Sequence, residues 1–321
     1  MRLSRTVIDY LVYLVVRTLI LIVQAIPLSI LASLAKGLAW LFADVLHIRR
    51  GVAEENLATA FPGSSPRVIA DTIRRMWEHL FLMVFEIAHS SRVIHETNWR
   101  RFIHLNEVRP LVKLLLEDRP VILVTGHFGN FELGGYLLGM LGFPTHTVAR
   151  TLDNRFLDRF VNRFRGATGQ FIIPKNGGHR QIEETLERGG TLTLLADQDA
   201  GRKGCFVPFF GRPASTYKAL ALLSLEYDAP LAVVYVKRLG QPLKFEMGMQ
   251  ALLDPRELAG LPPRAAVEHI TRWYTSELEA IVRSAPEQYW WIHRRWKTQP
   301  KTARESAATG HDAGCPENRA A

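Results

Sequence analysis

The chain has 321 residues, 47% of them hydrophobic and 22% charged, with 40 Lys and Arg against 31 Asp and Glu. Such a composition excludes global disorder, and the length leaves room for one α/β domain with an added segment or for two modest domains. Two cysteines, Cys205 and Cys315, exclude a disulfide-stapled scaffold and a four-cysteine zinc site, and fit a reducing compartment; the net charge of +9 points to an acidic partner, whether nucleic acid, an anionic membrane face or an acidic protein.

The chain is apolar from Val7 to Ile26, interrupted by Asp9, Arg17 and Gln24. That is long enough to cross a bilayer, which takes about 20 residues. Pro27 breaks the helix, and a second apolar stretch runs from Leu28 to Leu46, closed by His47, Arg49 and Arg50. The lack of a small-residue cleavage site and the immediate second segment argue against a secretory signal. Residues 1–50 are therefore expected to be a membrane-associated helical segment. A single span, a re-entrant hairpin and surface insertion all fit, and the basic cluster favours a cytoplasmic domain after it. The alternative is a pair of buried core helices.

From Gly51 to Ile103 the pattern is helical, most clearly over Val68–His89. Short runs rich in β-branched residues then recur at 121–125, 145–148, 171–173, 191–195 and 231–236, and 245–249 suggests a late strand. Helical patterns at 131–141, 154–164, 178–188 and 216–227 separate most of them, and a closing helix follows at 263–284. The expected fold over 51–300 is an α/β domain, a mixed, mostly parallel sheet flanked by helices. Residues 301–321 have no apolar period and read as a disordered tail.

The sharpest local feature is Thr125-Gly126-His127-Phe128-Gly129-Asn130-Phe131-Glu132, which follows a buried-type strand and opens a helix. Ligands in open α/β sheets sit at such strand ends. A turn can fold the His127 imidazole back towards Glu132, giving a general base whose imidazolium the carboxylate stabilises. A helix-capping histidine beside a surface glutamate fits the spacing equally well. Asn130 in the turn is a candidate substrate-binding residue. Asp197 and Asp199 also follow a strand, and either orient an acceptor or the catalytic turn, or simply stabilise their own turn. No metal set is evident around His127, and the nucleophile-elbow, P-loop and dinucleotide fingerprints are absent, so no cofactor is expected. Arg155, Arg159 and Arg163 line one side of a helix whose other side carries Phe156, Phe160 and Phe164. Tyr289 to Trp296 mixes aromatic and basic residues. This suits packing on the sheet or the membrane interface better than nucleic acid, given the apolar N-terminus.

Several of these elements, in this order, resemble the bacterial lipid A biosynthesis (late) acyltransferases, a lysophospholipid acyltransferase-like family. They are Asn56-Leu57 and Ala60-Phe61-Pro62, the His-x4-Glu element His127 to Glu132, Val148 to Asn154, Leu195-Ala196-Asp197-Gln198-Asp199 with Val207-Pro208-Phe209-Phe210-Gly211, and Pro286 to Lys297. The resemblance implies transfer of a fatty acyl chain from a thioester carrier to a glycolipid hydroxyl at the cytoplasmic face of the inner membrane. It implies His127 as general base, Glu132 as its partner and Arg150 as a holder of an anionic group or developing charge. The implied partners are acyl carrier protein or acyl-coenzyme A as donor and a lipid A precursor as acceptor. Mannosylated phosphatidylinositol or a lysophospholipid are alternative acceptors; a lipid-binding protein and a thioesterase are the readings from other classes.

Overall fold

The computed structural model describes residues 4–300. The chain runs through α1 (Arg5–Ala25), α2 (Leu28–Trp40), a π-helical turn (Leu41–Val45), α3 (Arg50–Ala60), α4 (Pro66–Val93), β1 (Ile103–Asn106), α5 (Arg109–Leu115), β2 (Val121–Thr125) and α6 (Phe131–Met140). It continues through β3 (Thr145–Ala149), α7 (Arg155–Gly166), β4 (Gln170–Pro174), α8 (His179–Glu187) and β5 (Thr191–Leu195). A hairpin β6 (Cys205–Phe209) and β7 (Arg212–Thr216) follows, then α9 (Ala219–Glu226), β8 (Leu231–Arg238), β9 (Phe245–Leu253) and α10 (Pro263–Ser284). The expected tail lies outside the described residues.

The main sheet has the order β1-β9-β8-β2-β5-β3-β4. All its pairs are parallel except β8 with β9, so β1 and β9 run against the other five strands. Central β2 is buried along its whole length, as a strand covered on both faces must be. Ile122 and Val124 pack towards α8, α9 and α10, while Val121 and Leu123 pack towards α5 and α6. The architecture is the mixed, mostly parallel sheet flanked by helices. The short β1, α5 and the β6–β7 hairpin are additions to the elements expected. The hairpin turns on Phe210 and Gly211, both at positive φ (51° and 72°), the pairing a tight two-residue turn needs. Residue 216, expected in a helix, closes β7 instead.

Both N-terminal helical stretches, Arg5–Ala25 and Leu28–Val45, are long and apolar enough to cross a membrane. They differ in what they touch. No residue of α1 is buried. Two of its interruptions face protein: the Arg17 guanidinium lies 4.7 Å over the Phe160 ring, and Gln24 Nε2 donates to the Ala88 carbonyl at 2.7 Å. Tyr10 and Tyr13 pack on Phe156 and Phe160 of α7. Ile8, Leu11, Val15, Leu19 and Ile22, at helical spacing, stay exposed. In contrast, α2 buries Leu31, Ala35 and Ala39 completely in contact with α4, and Phe42 beyond it packs on Trp77 and Phe81. Small residues every four positions let two helices approach closely.

The aromatic run after α10 packs inside the protein. Trp291 and Trp296 are buried against Phe210 and Phe209, and the Arg295 guanidinium is bound to Ser215 O and Thr216 Oγ1. Asn56 Nδ2 donates to the Trp291 and His293 carbonyls, joining α3 to this belt.

Candidate active site

The site forms where β2 ends. The register aligns Thr125 of β2 with Leu195 of β5, so the residues two positions further on, His127 and Asp197, emerge side by side. The Asp197 carboxylate accepts from the His127 backbone N–H through Oδ2 at 2.8 Å and contacts His127 Nδ1 through Oδ1 at 2.8 Å. A carboxylate only accepts, so Nδ1 carries the proton and the neutral imidazole keeps its lone pair on Nε2. Burial by itself would depress the His127 pKa. The charge and hydrogen bond of Asp197, with a smaller contribution from Glu132, outweigh it and raise the imidazole above its ordinary value. Burial would likewise push the Asp197 carboxyl up, but its contacts with His127 hold it below the usual carboxylate range.

The turn that presents His127 is clamped. Gly129 sits at φ +58°, and a Cβ there would lie 1.9 Å from the Val236 carbonyl oxygen, so only glycine fits. The Gly129 N–H donates to Gln288 O and the Asn130 N–H to Val236 O. Beneath lies a buried network. Glu86 Oε1 accepts from Arg238 Nε at 2.8 Å and from the Leu243 N–H at 3.0 Å, and its Oε2 accepts from Asn130 Nδ2 at 3.2 Å. Arg238 Nη1 faces His79 Nδ1. A guanidinium only donates, so His79 accepts there and its Nε2–H donates to the Gly129 carbonyl at 3.1 Å. Burial, then the Arg238 charge, holds His79 well below its ordinary pKa and therefore neutral.

A cavity of about 910 Å³ opens beside His127, over the carboxyl ends of β2, β5 and β3. Leu138, Leu194, Leu222 and Leu223 supply apolar wall, while Arg150, Arg165 and Lys175 bring cationic groups to the lining. The Trp290 ring lies 4.9 Å and the Phe131 ring 5.1 Å from the imidazole.

The model of the bacterial lipid A biosynthesis acyltransferase family matches residues 2–298. The chain belongs to that family. It is 28% identical over 278 residues to the lipid A biosynthesis palmitoleoyltransferase of Escherichia coli (strain K12), covering 86% of this chain and 87% of that one. It is 28% identical over 298 residues to the lipid A biosynthesis lauroyltransferase of the same organism, covering 91% and 93%. A phosphatidylinositol mannoside acyltransferase of Mycolicibacterium smegmatis is 31% identical over 121 residues, covering 36% and 40%.

The protein is thus an acyltransferase, and its structure rearranges the site expected from sequence. Asp197, not Glu132, holds the imidazole. Both Glu132 oxygens accept from Arg165 of α7, at 3.0 and 2.6 Å, so the carboxylate is spent on the cavity wall. Asp197 therefore braces the turn that carries His127. Asn130, expected at the substrate, is instead fully buried with its amide on Glu86 and anchors the turn. The Asp199 carboxylate accepts from the Gly201 N–H and from Thr298 N and Oγ1, so it stabilises its own turn and the end of the belt. Arg150 lies on the cavity lining with a 78% exposed side chain, 3.5 Å from Asp153. Sequence reasoning passed over His79, Glu86, Arg238 and Gln288. The available signal was polar His79 and Glu86, seven apart on the core-facing stripe of α4.

Proposed function

We propose that this acyltransferase moves a fatty acyl chain from an acyl thioester to a hydroxyl of a lipid A precursor or related glycolipid, with His127 as general base. The observation that carries the reading is the Asp197–His127 pair, whose Nε2 faces a cavity with apolar walls and cationic groups. The acceptor hydroxyl gives its proton to Nε2 as its oxygen bonds to the thioester carbonyl carbon. The C–S bond then breaks, and the thiolate takes the proton from the imidazolium. Asp197 fixes the tautomer and stabilises the imidazolium. Arg150, together with Arg165 oriented by Glu132, attracts the anionic groups of donor and acceptor.

Residues 1–50 associate with the cytoplasmic membrane in this reading, and residues 51–300 face the cytoplasm. The exposed stripe of α1 supports the first statement, and Arg49 and Arg50 at the end of the apolar region support the second. The donor is an acidic acyl carrier protein, favoured by the net charge of +9 and by Arg155, Arg159 and Arg163 along one side of α7. The partial match to a phosphatidylinositol mannoside acyltransferase makes a mannosylated phosphatidylinositol the second acceptor to offer.

The test is acyl transfer by the detergent-purified protein, with labelled acyl carrier protein and a lipid A precursor, beside His127→Ala. Acylated glycolipid is expected, falling by about 10²–10⁴-fold in the variant, as for a lost acid–base group. Free fatty acid alone would reassign the protein as a thioesterase. Binding without turnover for any donor or acceptor would make it a lipid-binding protein.

A further inference from the structure

The strand end that brings Asp197 to one nitrogen of His127 brings the next residue to the other. Gln198 lines the cavity, and its side-chain nitrogen lies 3.4 Å from His127 Nε2. Nδ1 carries its proton towards Asp197, so Nε2 presents a lone pair, and the amide group turned to it is the NH2. Charge accumulates beside this nitrogen during acyl transfer. A hydroxyl bound at Nε2 attacks a carbonyl carbon within van der Waals reach, and the carbonyl oxygen becomes anionic next to the Gln198 amide. Three backbone amides of the helix-opening turn are engaged elsewhere. His127 N–H is on Asp197, Gly129 N–H on Gln288 and Asn130 N–H on Val236. The Arg165 fork is occupied by Glu132.

We infer that Gln198 is a catalytic residue whose carboxamide N–H donates to the developing oxyanion of the tetrahedral intermediate. In the resting site the amide rests on Nε2. The acceptor hydroxyl takes over that lone pair, and the freed N–H is left aimed at the carbonyl oxygen. A fixed donor that gains strength only as charge develops lowers the barrier without tightening ground-state binding. The assignment rests on the acyl-transfer reading above.

The experiment compares full-length wild type, Gln198→Ala and Gln198→Glu in detergent, with dodecanoyl-acyl carrier protein as donor and a lipid A precursor as acceptor. Gln198→Ala is expected to lower kcat about 10²–10³-fold, the effect of removing one oxyanion donor, with KM for both substrates unchanged. Gln198→Glu is expected to lower kcat as well and to shift the acid limb of kcat/KM to higher pH, because a carboxylate beside Nε2 stabilises the imidazolium. A residue that only supported the fold would not move that limb. Wild-type kcat in Gln198→Ala would overturn the inference. So would a raised acceptor KM with kcat intact, which would make Gln198 a ground-state contact. A wild type without any transfer would instead remove the acyltransferase chemistry on which the inference stands.

Discussion

Replacing Asp197 by asparagine tests the core of the mechanism. The two Asp197 oxygens accept two N–H groups of His127, one from the backbone and one from Nδ1. Asparagine has one acceptor oxygen and one NH2. The backbone N–H cannot change its role, so the new carboxamide oxygen goes to it and the NH2 faces Nδ1. Nδ1 must then accept, the proton moves to Nε2, and the base is disabled. The expected loss in kcat is about 10³–10⁴-fold, in the range seen when an imidazole is locked in the wrong tautomer. That corresponds to about 4–5.5 kcal/mol in the barrier, at about 1.36 kcal/mol per tenfold. The assay is initial-rate acyl transfer across pH, with thermal unfolding measured in the same buffers. Asp197 is what lifts the His127 pKa against the opposing effect of burial, so the acid limb of the residual activity should also fall. The stability term has a definite sign. The raised His127 pKa stabilises the fold below its unfolded value, and this is lost as pH rises through the folded one. The lowered Asp197 pKa stabilises above its unfolded value, and this is lost as pH falls through the folded one. The difference in Tm between wild type and Asp197→Asn should therefore peak between about pH 4 and 6.5. A variant that keeps wild-type kcat with an unmoved acid limb would refute the reasoning.

Three further outcomes are expected. Glu86→Ala leaves the buried Arg238 guanidinium without its carboxylate and should destabilise the protein by about 3–5 kcal/mol, read by chemical unfolding; a loss within experimental error would show that the network does not hold the turn. Gly129→Ala forces a side chain into the Val236 carbonyl at a left-handed backbone position and should cost at least about 2 kcal/mol, visible as a lowered Tm. Raising the salt concentration should raise KM for an acyl carrier protein donor, because Arg155, Arg159 and Arg163 act through water over a Debye length of about 8–10 Å; a KM independent of salt would sink this role.

Local chemistry made much of this molecule legible in the sequence. The β-branched runs marked five of the strands in the main sheet because their buried faces demand such residues. The glycine-flanked turn after Thr125 marked the site because only glycine accepts the approach of Val236 at position 129. Two long apolar stretches marked the N-terminal helices, but not that α2 buries one side on α4 while α1 leaves its apolar stripe outside. The partner of His127 was not legible, because the nearest carboxylate in sequence is not the nearest in space. Glu132 lies five residues away and is drawn to Arg165, whereas Asp197, 70 residues away, arrives through the pairing of β5 with β2. The same holds for His79, Glu86, Arg238 and Gln288, which come from three separated segments and meet only under the turn. Periodicity and turn chemistry act between neighbours in the chain and determine the elements. The choice of which charge meets which nitrogen depends on strand order and helix packing, and only the tertiary structure decides it.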